Sequence, residues 1–498
     1  LEYVIGIDVG TSGTKGLLVT ADGRIAAAAT VEYGMSYPRP GWAEQDPEQW
    51  WDAARRAIGR LLERAEGGAA AVRAVGLTGQ MHSSVFLDEA DRVIRPALLW
   101  CDQRTQEQCD RIVAAVGFRR LIELTANRAL TGFTAPKLLW LREREPDNYR
   151  RLRRLLLAKD FIRFKLTGEY VTDVSDASGT LFLDVARRRW SAEMLDLLEI
   201  DPAILPRVCE SPDLTGRVTA EAAAATGLAS GTPVVAGGGD QAAGAVGNGV
   251  VREGPALITI GTSGVVFASA DRPAVDPEAR LHSFCHAVPG LWHTMGVMLA
   301  AGGSLRWLRE TLREAAPGLD YDRMDAAAAA VPGGAEGLLF LPYLTGERTP
   351  HFDGHARGVF FGLSLKHGLG HLVRSVMEGV AFGLLDSVRL MREAGTRMEV
   401  VYLSGGGARS GLWASIVAST VGLPLKRLAV DEGPSFGAAL LALTGIGAFT
   451  GPAEAADRVL AIKDEIAPDP ALAAVYARAY ERFRGLYPAL QDRFDAGA

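Results

Sequence analysis

Residues Val4–Gly16 read VIGIDVGTSGTKG, and residues Ala256–Phe267 read ALITIGTSGVVF. In each, an apolar run rich in β-branched residues ends in Gly-Thr-Ser-Gly, the pattern of a strand entering a tight hairpin. The backbone N–H groups and hydroxyls of such a turn can face one point, so two of them could grip one polyphosphate. Aligning the glycines sets Asp8 against Thr259; only the first loop carries an acid, and only it could hold a cation. Four turn residues can recur by accident in a chain with 57 glycines. The shared strand-then-turn setting, once near the start and once just past the middle, points instead to two related halves.

Composition bounds what those halves can be. A chain of 498 residues exceeds what one core usually supports, and 48% hydrophobic with 22% charged residues is a globular balance. No apolar stretch reaches the roughly 18 residues of a membrane span, and the sequence opens into a strand rather than a basic leader. The four cysteines show no paired short spacing, so neither a disulfide framework nor a zinc ribbon is indicated, and the expectation is a cytoplasmic protein. His282, Cys285 and His286 offer three ligand types with no partner cluster and read as core and turn residues. A net charge of −6 without a basic block argues against a nucleic-acid surface. An anion would have to be held by backbone N–H groups, hydroxyls, helix N-termini and a bound cation.

Residues 1–250 alternate strands, turns and amphipathic helices. EQDPEQWWDAARRAIGRLLERA carries the clearest helix start, with Asp46 as N-cap, Pro47 in the first turn and Gln49 placed to close a capping box. AVRAVGLTGQMHSSVFLD reads as a strand, a turn exposing Gln80, Met81 and His82, and a second strand. TPVVAGGGDQAAGAVGNGVV gives a strand, three glycines, an acid and a small-residue helix. The change near residue 250 divides a first domain (1–250) from a second (251–446), with a helical tail (447–498) packed on the latter. In the second half, AGGSLRWLRETLREA starts a helix at Ser304, and Gly405, Gly406 and Gly407 stand between a strand and a helix, as at a ligand-facing edge. The long helix HGLGHLVRSVMEGVAFGLLDSVRLMREAG has Ser375, Gly379 and Gly383 on one face. Each interior glycine costs about 1 kcal/mol of helix propensity, so another backbone is expected to pack there.

Two acids stand out. Asp8 should emerge at a strand end beside the hydroxyls of Thr11, Ser12 and Thr14, with Lys15 just beyond, a setting suited to Mg²⁺ and phosphates. Asp240 follows three glycines that remove bulk from the approach. A phosphoryl transfer asks the protein to position, neutralise charge and accept a hydroxyl proton, and Asp240 could be that acceptor. It could equally only N-cap the helix that follows.

The hairpins, GGGDQAAG, the GGGARS edge, GFTAPKLLW (Gly132–Trp140) and GVFFGLSLKHGLGHLVRSVME (Gly358–Glu378) together resemble the FGGY family of carbohydrate kinases, in the family's order from residue 4 to about 445. TGQMHS, LPYLTGERTPH and HSFCHAVPG are similar to its members acting on a five-carbon ketose. The resemblance implies an α/β fold of two actin-like (ribonuclease-H-like) ATPase domains with a cleft between them, and ATP-dependent phosphorylation of D-xylulose at its 5-hydroxyl. It assigns Asp240 as general base, Asp8 to Mg²⁺ and the phosphates, and Met81, His82 and Gln241 with Asp240 to the sugar. Thr11, Ser12, Lys15, Gly261, Thr262 and Gly302 fall to the phosphates of ATP, and Gly406 and Gly407 to the shelf under the adenine. Ser83 and Gln241 depart from the family's usual Gly and Asn and bear on which ketose fits. Alternatives are another pentulose or a polyol as substrate, or an actin-like ATPase that is not a kinase. Dimers are common in the family, but no self-complementary surface can be read here.

Overall fold

The computed structural model describes residues 2–430 and 432–494. Tyr3–Val9 (β1), Gly13–Thr20 (β2) and Ile25–Glu32 (β3) form an antiparallel meander, and Val72–Gly79 (β4) runs parallel to β1 on its other side. Leu214–Arg217 (β5) and Pro233–Val235 (β6) complete the spatial order β5-β6-β4-β1-β2-β3. The second sheet is built from Gly254–Ile260 (β7), Gly264–Ala270 (β8), His282–Cys285 (β9), Trp292–Met298 (β10), Met398–Ser404 (β11), Leu425–Leu428 (β12) and Ile462–Ile466 (β13). Its order is β9-β10-β8-β7-β11-β12-β13. β7 pairs antiparallel with β8 and parallel with β11, as β1 does with β2 and β4. The repeated GTSG therefore marks the same place in two like sheets, and Asp8 and Thr259 occupy matching positions, next to last in β1 and β7.

Helices cover the sheets where their apolar faces require it. Pro47–Leu62 (α1) buries Trp50, Ala54, Ala57, Ile58 and Leu61, one stripe at helical spacing, against Ile5, Ile7, Leu18 and Val75. Asp46 caps it by accepting the Glu48 N–H (3.0 Å), while the Gln49 N–H goes to the Asp46 carbonyl, so the expected capping box is not formed. Asp240–Gly247 (α2) follows β6; Gly302–Leu312 (α3) follows β10 and begins two residues before the expected Ser304. Leu369–Glu393 (α4) does receive a backbone at its glycine face, since a Cβ on Gly379 would stand 2.2 Å from the Phe340 carbonyl oxygen. Gly411–Val421 (α5) lies between β11 and β12.

Gly433–Gly445 (α6) interlocks the halves, because it lies on β1 and β4 of the first sheet and crosses α2. Gly6 and Gly76 are register partners in β1 and β4, and a Cβ on either would stand 2.1 or 1.9 Å from a carbonyl oxygen of α6. The glycine pair opens the groove into which α6 settles. Gly437 of α6 leaves no room for a Cβ either, since one would stand 1.7 Å from the Ala243 carbonyl of α2. Pro470–Phe494 (α7) buries Tyr476, Tyr480, Phe483 and Tyr487 in the core around α4 and α5. Among the described residues no helix is long and apolar enough to cross a membrane.

Candidate active site

The two hairpins and the starts of α2 and α3 all lie at the same ends of their sheets. In the first half, Gly10 N–H closes on Gly13 O (3.0 Å) and β1 delivers Asp8 beside it. Burial pushes the Asp8 carboxyl up to about 7, the Asp240 charge adds to the rise, and Lys15 opposes it. Its Oδ1 is buried without a hydrogen-bond partner among the described residues, an orphan acceptor of the kind a bound cation would satisfy.

Asp240 is the first residue of α2, and Gly239 is its N-cap. Asp240 therefore is not the cap that one reading of the sequence allowed. Its Oδ1 accepts the Gln241 N–H (2.8 Å). Burial raises its carboxyl to about 6, a rise the Gln241 N–H opposes. The glycines before it serve the chain's own packing. Gly237 adopts φ +75, with Leu77 O only 1.9 Å from where a Cβ would stand, and Gly239 makes room for the thioether of Met81.

Gln80, Met81 and His82 do not lie exposed on a turn. Gln80 and Met81 are buried, with Gln80 Nε2 bonded to Gln45 Oε1 (3.1 Å) and close to the Gly10 carbonyl, so that Gln80 braces the first hairpin. His82 has φ +67 and its ring lies tilted against Phe133, with centroids 4.4 Å apart and planes at 30°. Burial, with the Lys137 charge next, lowers its imidazolium pKa to about 3. It is therefore neutral at physiological pH. Its Nδ1 lies 2.7 Å from the Gly179 carbonyl, which accepts the ring proton and leaves Nε2 as an acceptor for a hydroxyl.

Lys137, from the GFTAPKLLW motif, explains how a positive-φ histidine is held. Its Nζ donates to the carbonyls of His82 (2.9 Å) and Gly132 (2.6 Å), and burial lowers it to about 7. Trp100, which the sequence did not flag, donates Nε1–H to Thr11 Oγ1 (3.0 Å) and stands partly exposed at this edge. Ser12 is exposed, and the Lys15 ammonium is taken by Glu432, immediately before α6. Ser83 is buried, and its hydroxyl has no partner among the described residues.

The second hairpin opens onto a cavity of about 570 Å³ lined by Ile260, Gly261, Thr262, Gly302, Gly406 and Gly407, with Arg306, Asp322, Asp325 and Arg409 among the polar groups. The five second-half residues that the resemblance assigns to ATP thus meet in one pocket, while Gly405 lies outside it. The N-terminus of α3 clamps the hairpin, with Gly302 N–H on Gly261 O (2.8 Å) and Gly303 N–H on Thr262 O (3.0 Å). A Cβ on Gly406 would meet nothing within 4 Å, whereas one on Gly407 would strike Ile260, so the loop presents a flat surface over a packed base. A methyl at Gly302 would stand 2.5 Å from Gly261 O. Gly302→Ala is accordingly expected to push the hairpin out of place and to weaken about tenfold the binding of whichever substrate occupies this cavity. Initial rates with each substrate varied in turn check this.

His282, Cys285 and His286 are buried as core residues. His282 Nδ1 faces Asn127 Oδ1 (3.1 Å), Cys285 lies under Val185, and His286 Nδ1 accepts the Val288 N–H (3.0 Å).

The site thus combines two half-buried acids, a neutral histidine, and a glycine-lined cavity fed by a hairpin and a helix N-terminus. Comparison with known proteins identifies the setting. The model of the N-terminal domain of the FGGY family of carbohydrate kinases matches residues 3–247, and that of its C-terminal domain matches residues 256–446. The chain belongs to the FGGY family of carbohydrate kinases. Membership implies ATP as the phosphoryl donor. The chain is 43% identical over 488 residues to a xylulose kinase of Escherichia coli K12, covering 98% of this chain and 99% of the relative. It is 37% identical over 492 residues to a xylulose kinase of Bacillus subtilis, covering 99% and 98%. Its fold is similar to that of the solved xylulose kinase from Rhodospirillum rubrum, with a TM-score of 0.93, 35% identity, and 99% and 100% of the two chains covered. The FGGY resemblance read from the motifs, and the two-sheet α/β kinase fold expected from it, both hold.

Proposed function

We propose that this FGGY kinase transfers the γ-phosphoryl group of ATP to the 5-hydroxyl of D-xylulose, giving D-xylulose 5-phosphate and ADP. The observation that carries the reading is Asp240, a half-buried carboxyl raised to about 6 at the start of α2, with Met81 packed against Gly239 on the chain before it. Full-length similarity to xylulose kinases supplies the substrate. Asp240, ionised, accepts the proton of the sugar hydroxyl as that oxygen attacks the γ-phosphorus and the bond to ADP breaks. His82, neutral with Nδ1–H on Gly179, accepts a hydrogen bond from another sugar hydroxyl and fixes the ketose beside the base. Gln241 adds an amide at the same edge, and Thr11 offers its hydroxyl to the phosphates.

Mg²⁺ bound with ATP would be held through Asp8, whose orphan Oδ1 suits it, and would supply neutralisation of the phosphate charge. The glycine-lined cavity at Gly261, Thr262, Gly302, Gly406 and Gly407 takes the nucleotide, with its phosphates toward the hairpin and α3 and its adenine on the Gly406–Gly407 surface. Closure of the halves about α2 and α6 excludes water from the transfer. Residues 1–250 form the sugar-side domain and 251–446 the nucleotide-side domain. The expected tail does not rest on the second alone: α7 packs in the second core, whereas Ala455, Ala456 and Val459 pack on Val4, Leu17 and Val19 of the first sheet.

Incubation with D-xylulose and Mg·ATP followed by phosphorus NMR tests the chemistry. The expected product carries its phosphate on C5; a product phosphorylated elsewhere, or inorganic phosphate alone, contradicts it. Asp240 must be ionised to act as base and Asp8 to hold the cation, so kcat/KM for the sugar should rise with pH and level off only above about 7. A profile flat from pH 5 to pH 8 contradicts the assignment of Asp240.

A further inference from the structure

We propose that the buried segment Asp173–Gly179, DVSDASG, is the positioning element that sets the base against the sugar-binding histidine. Its contacts reach both. The Ser175 hydroxyl accepts the Gly239 N–H (3.0 Å) at the N-cap of α2, one residue before Asp240, and donates to Asp173 Oδ2. Four residues on, the Gly179 carbonyl takes the His82 ring proton, and a Cβ on Gly179 would stand 2.4 Å from His82 Cε1. The segment also reaches the second sheet, because Ser178 Oγ accepts the Cys285 N–H of β9 (3.0 Å).

The anchor is a fully buried ionic cluster. Lys159 Nζ lies 2.9 Å from Asp173 Oδ1, 2.6 Å from Asp160 and 3.4 Å from Asp176, and Arg163 pairs with Asp160. Asp173 Oδ2 gathers three further donors: Ser175 N–H (2.8 Å), Ser175 Oγ and Ser211 Oγ (2.9 Å). Three donors on Oδ2 and the Lys159 ammonium beside Oδ1 hold the Asp173 carboxylate, which in turn holds Ser175 against Gly239. From the other side Met81 packs on Gly239, which holds the strand between the sugar-side turn and Ser175. None of these residues touches a reacting atom; they act through Asp240 and His82. The inference rests on Asp240 being the base, which Asp240→Asn tests separately.

Ser211 provides the control. It bonds the same Asp173 oxygen with an equally buried hydroxyl, but among the described residues that hydroxyl makes no bond to Gly239; its carbonyl accepts the Gly237 N–H (2.9 Å), a contact alanine keeps. Ser175→Ala is expected to lower kcat about 10–100-fold with KM for ATP within about twofold of wild type, whereas Ser211→Ala keeps kcat within about twofold. Gly179→Ala should raise KM for the sugar and leave KM for ATP alone. If Ser175→Ala does not fold, Ser175→Cys, which keeps a weak donor of similar shape, is compared with Ser211→Ala in the same way. Equal kcat in the Ser175 and Ser211 variants overturns the proposal, as does an unchanged sugar KM in Gly179→Ala. All variants are assayed on whichever ketose or polyol the wild type turns over fastest, so a wrong sugar assignment shows in the wild type and leaves the comparison intact.

Discussion

Asp240→Asn should lower kcat by about 10³-fold or more while leaving the fold and ATP binding in place. Asparagine has the same shape, and its Oδ1 can still accept the Gln241 N–H that Asp240 accepts. What it lacks is a lone pair basic enough to take the sugar's proton. The loss is therefore chemical rather than structural, and stability gives an independent readout. The Asp240 carboxyl is raised to about 6 in the folded protein, against about 3.9 unfolded. A raised acid favours folding below its unfolded pKa, and that contribution is lost as pH rises through the folded value. Asp240→Asn should thus match the wild type in Tm near pH 4 and exceed it at pH 8. A variant with wild-type sugar-dependent ADP release would remove Asp240 from the mechanism.

Asp8→Asn is expected to lower kcat about 10²-fold and to raise the Mg²⁺ concentration needed for half-maximal rate. Its effect on stability should be larger than that of Asp240→Asn. Burial and the facing Asp240 charge hold Asp8 near 7, so its ionisation is opposed over a wider span of pH. The gain in Tm over wild type grows from about pH 4 to pH 7 and then levels. An active site that is destabilised so that it can bind a cation shows this trade, with function lost and stability gained by one substitution. Thermal melts at pH 4, 6 and 8 without metal, beside Mg²⁺ titrations of activity, measure both sides. A Tm below wild type at pH 8 would mean that Asp8 serves the fold rather than the phosphates.

Much of the frame was legible in the sequence, and for a physical reason. The GTSG hairpins combine β-branched runs with turn residues, a local pattern that propensity alone specifies, and the structure sets them at like positions in like sheets. Gly379 of α4 likewise announced a close backbone, while Gly383 makes room for the Met298 side chain instead. What stayed hidden depends on contacts distant in the chain. The glycines at 6 and 76 look like weak points in strands, yet they form the groove that receives α6 from more than 350 positions away. Gln80, Met81 and His82 read as an exposed turn because the sequence does not show Lys137 drawing the His82 carbonyl inward. DVSDASG reads as an ordinary polar stretch; only the buried Lys159 cluster turns its acids and hydroxyls into a support for Asp240. Ser83 differs from the family pattern, and nothing in the structure explains the change.

The central claim, a ketose kinase specific for D-xylulose, is tested most directly by coupled ADP release measured as kcat/KM across D-xylulose, D-ribulose, L-ribulose and D-arabitol at saturating Mg·ATP. D-Xylulose is expected to give the highest value of the four. A higher value for any of the other three would contradict the assignment.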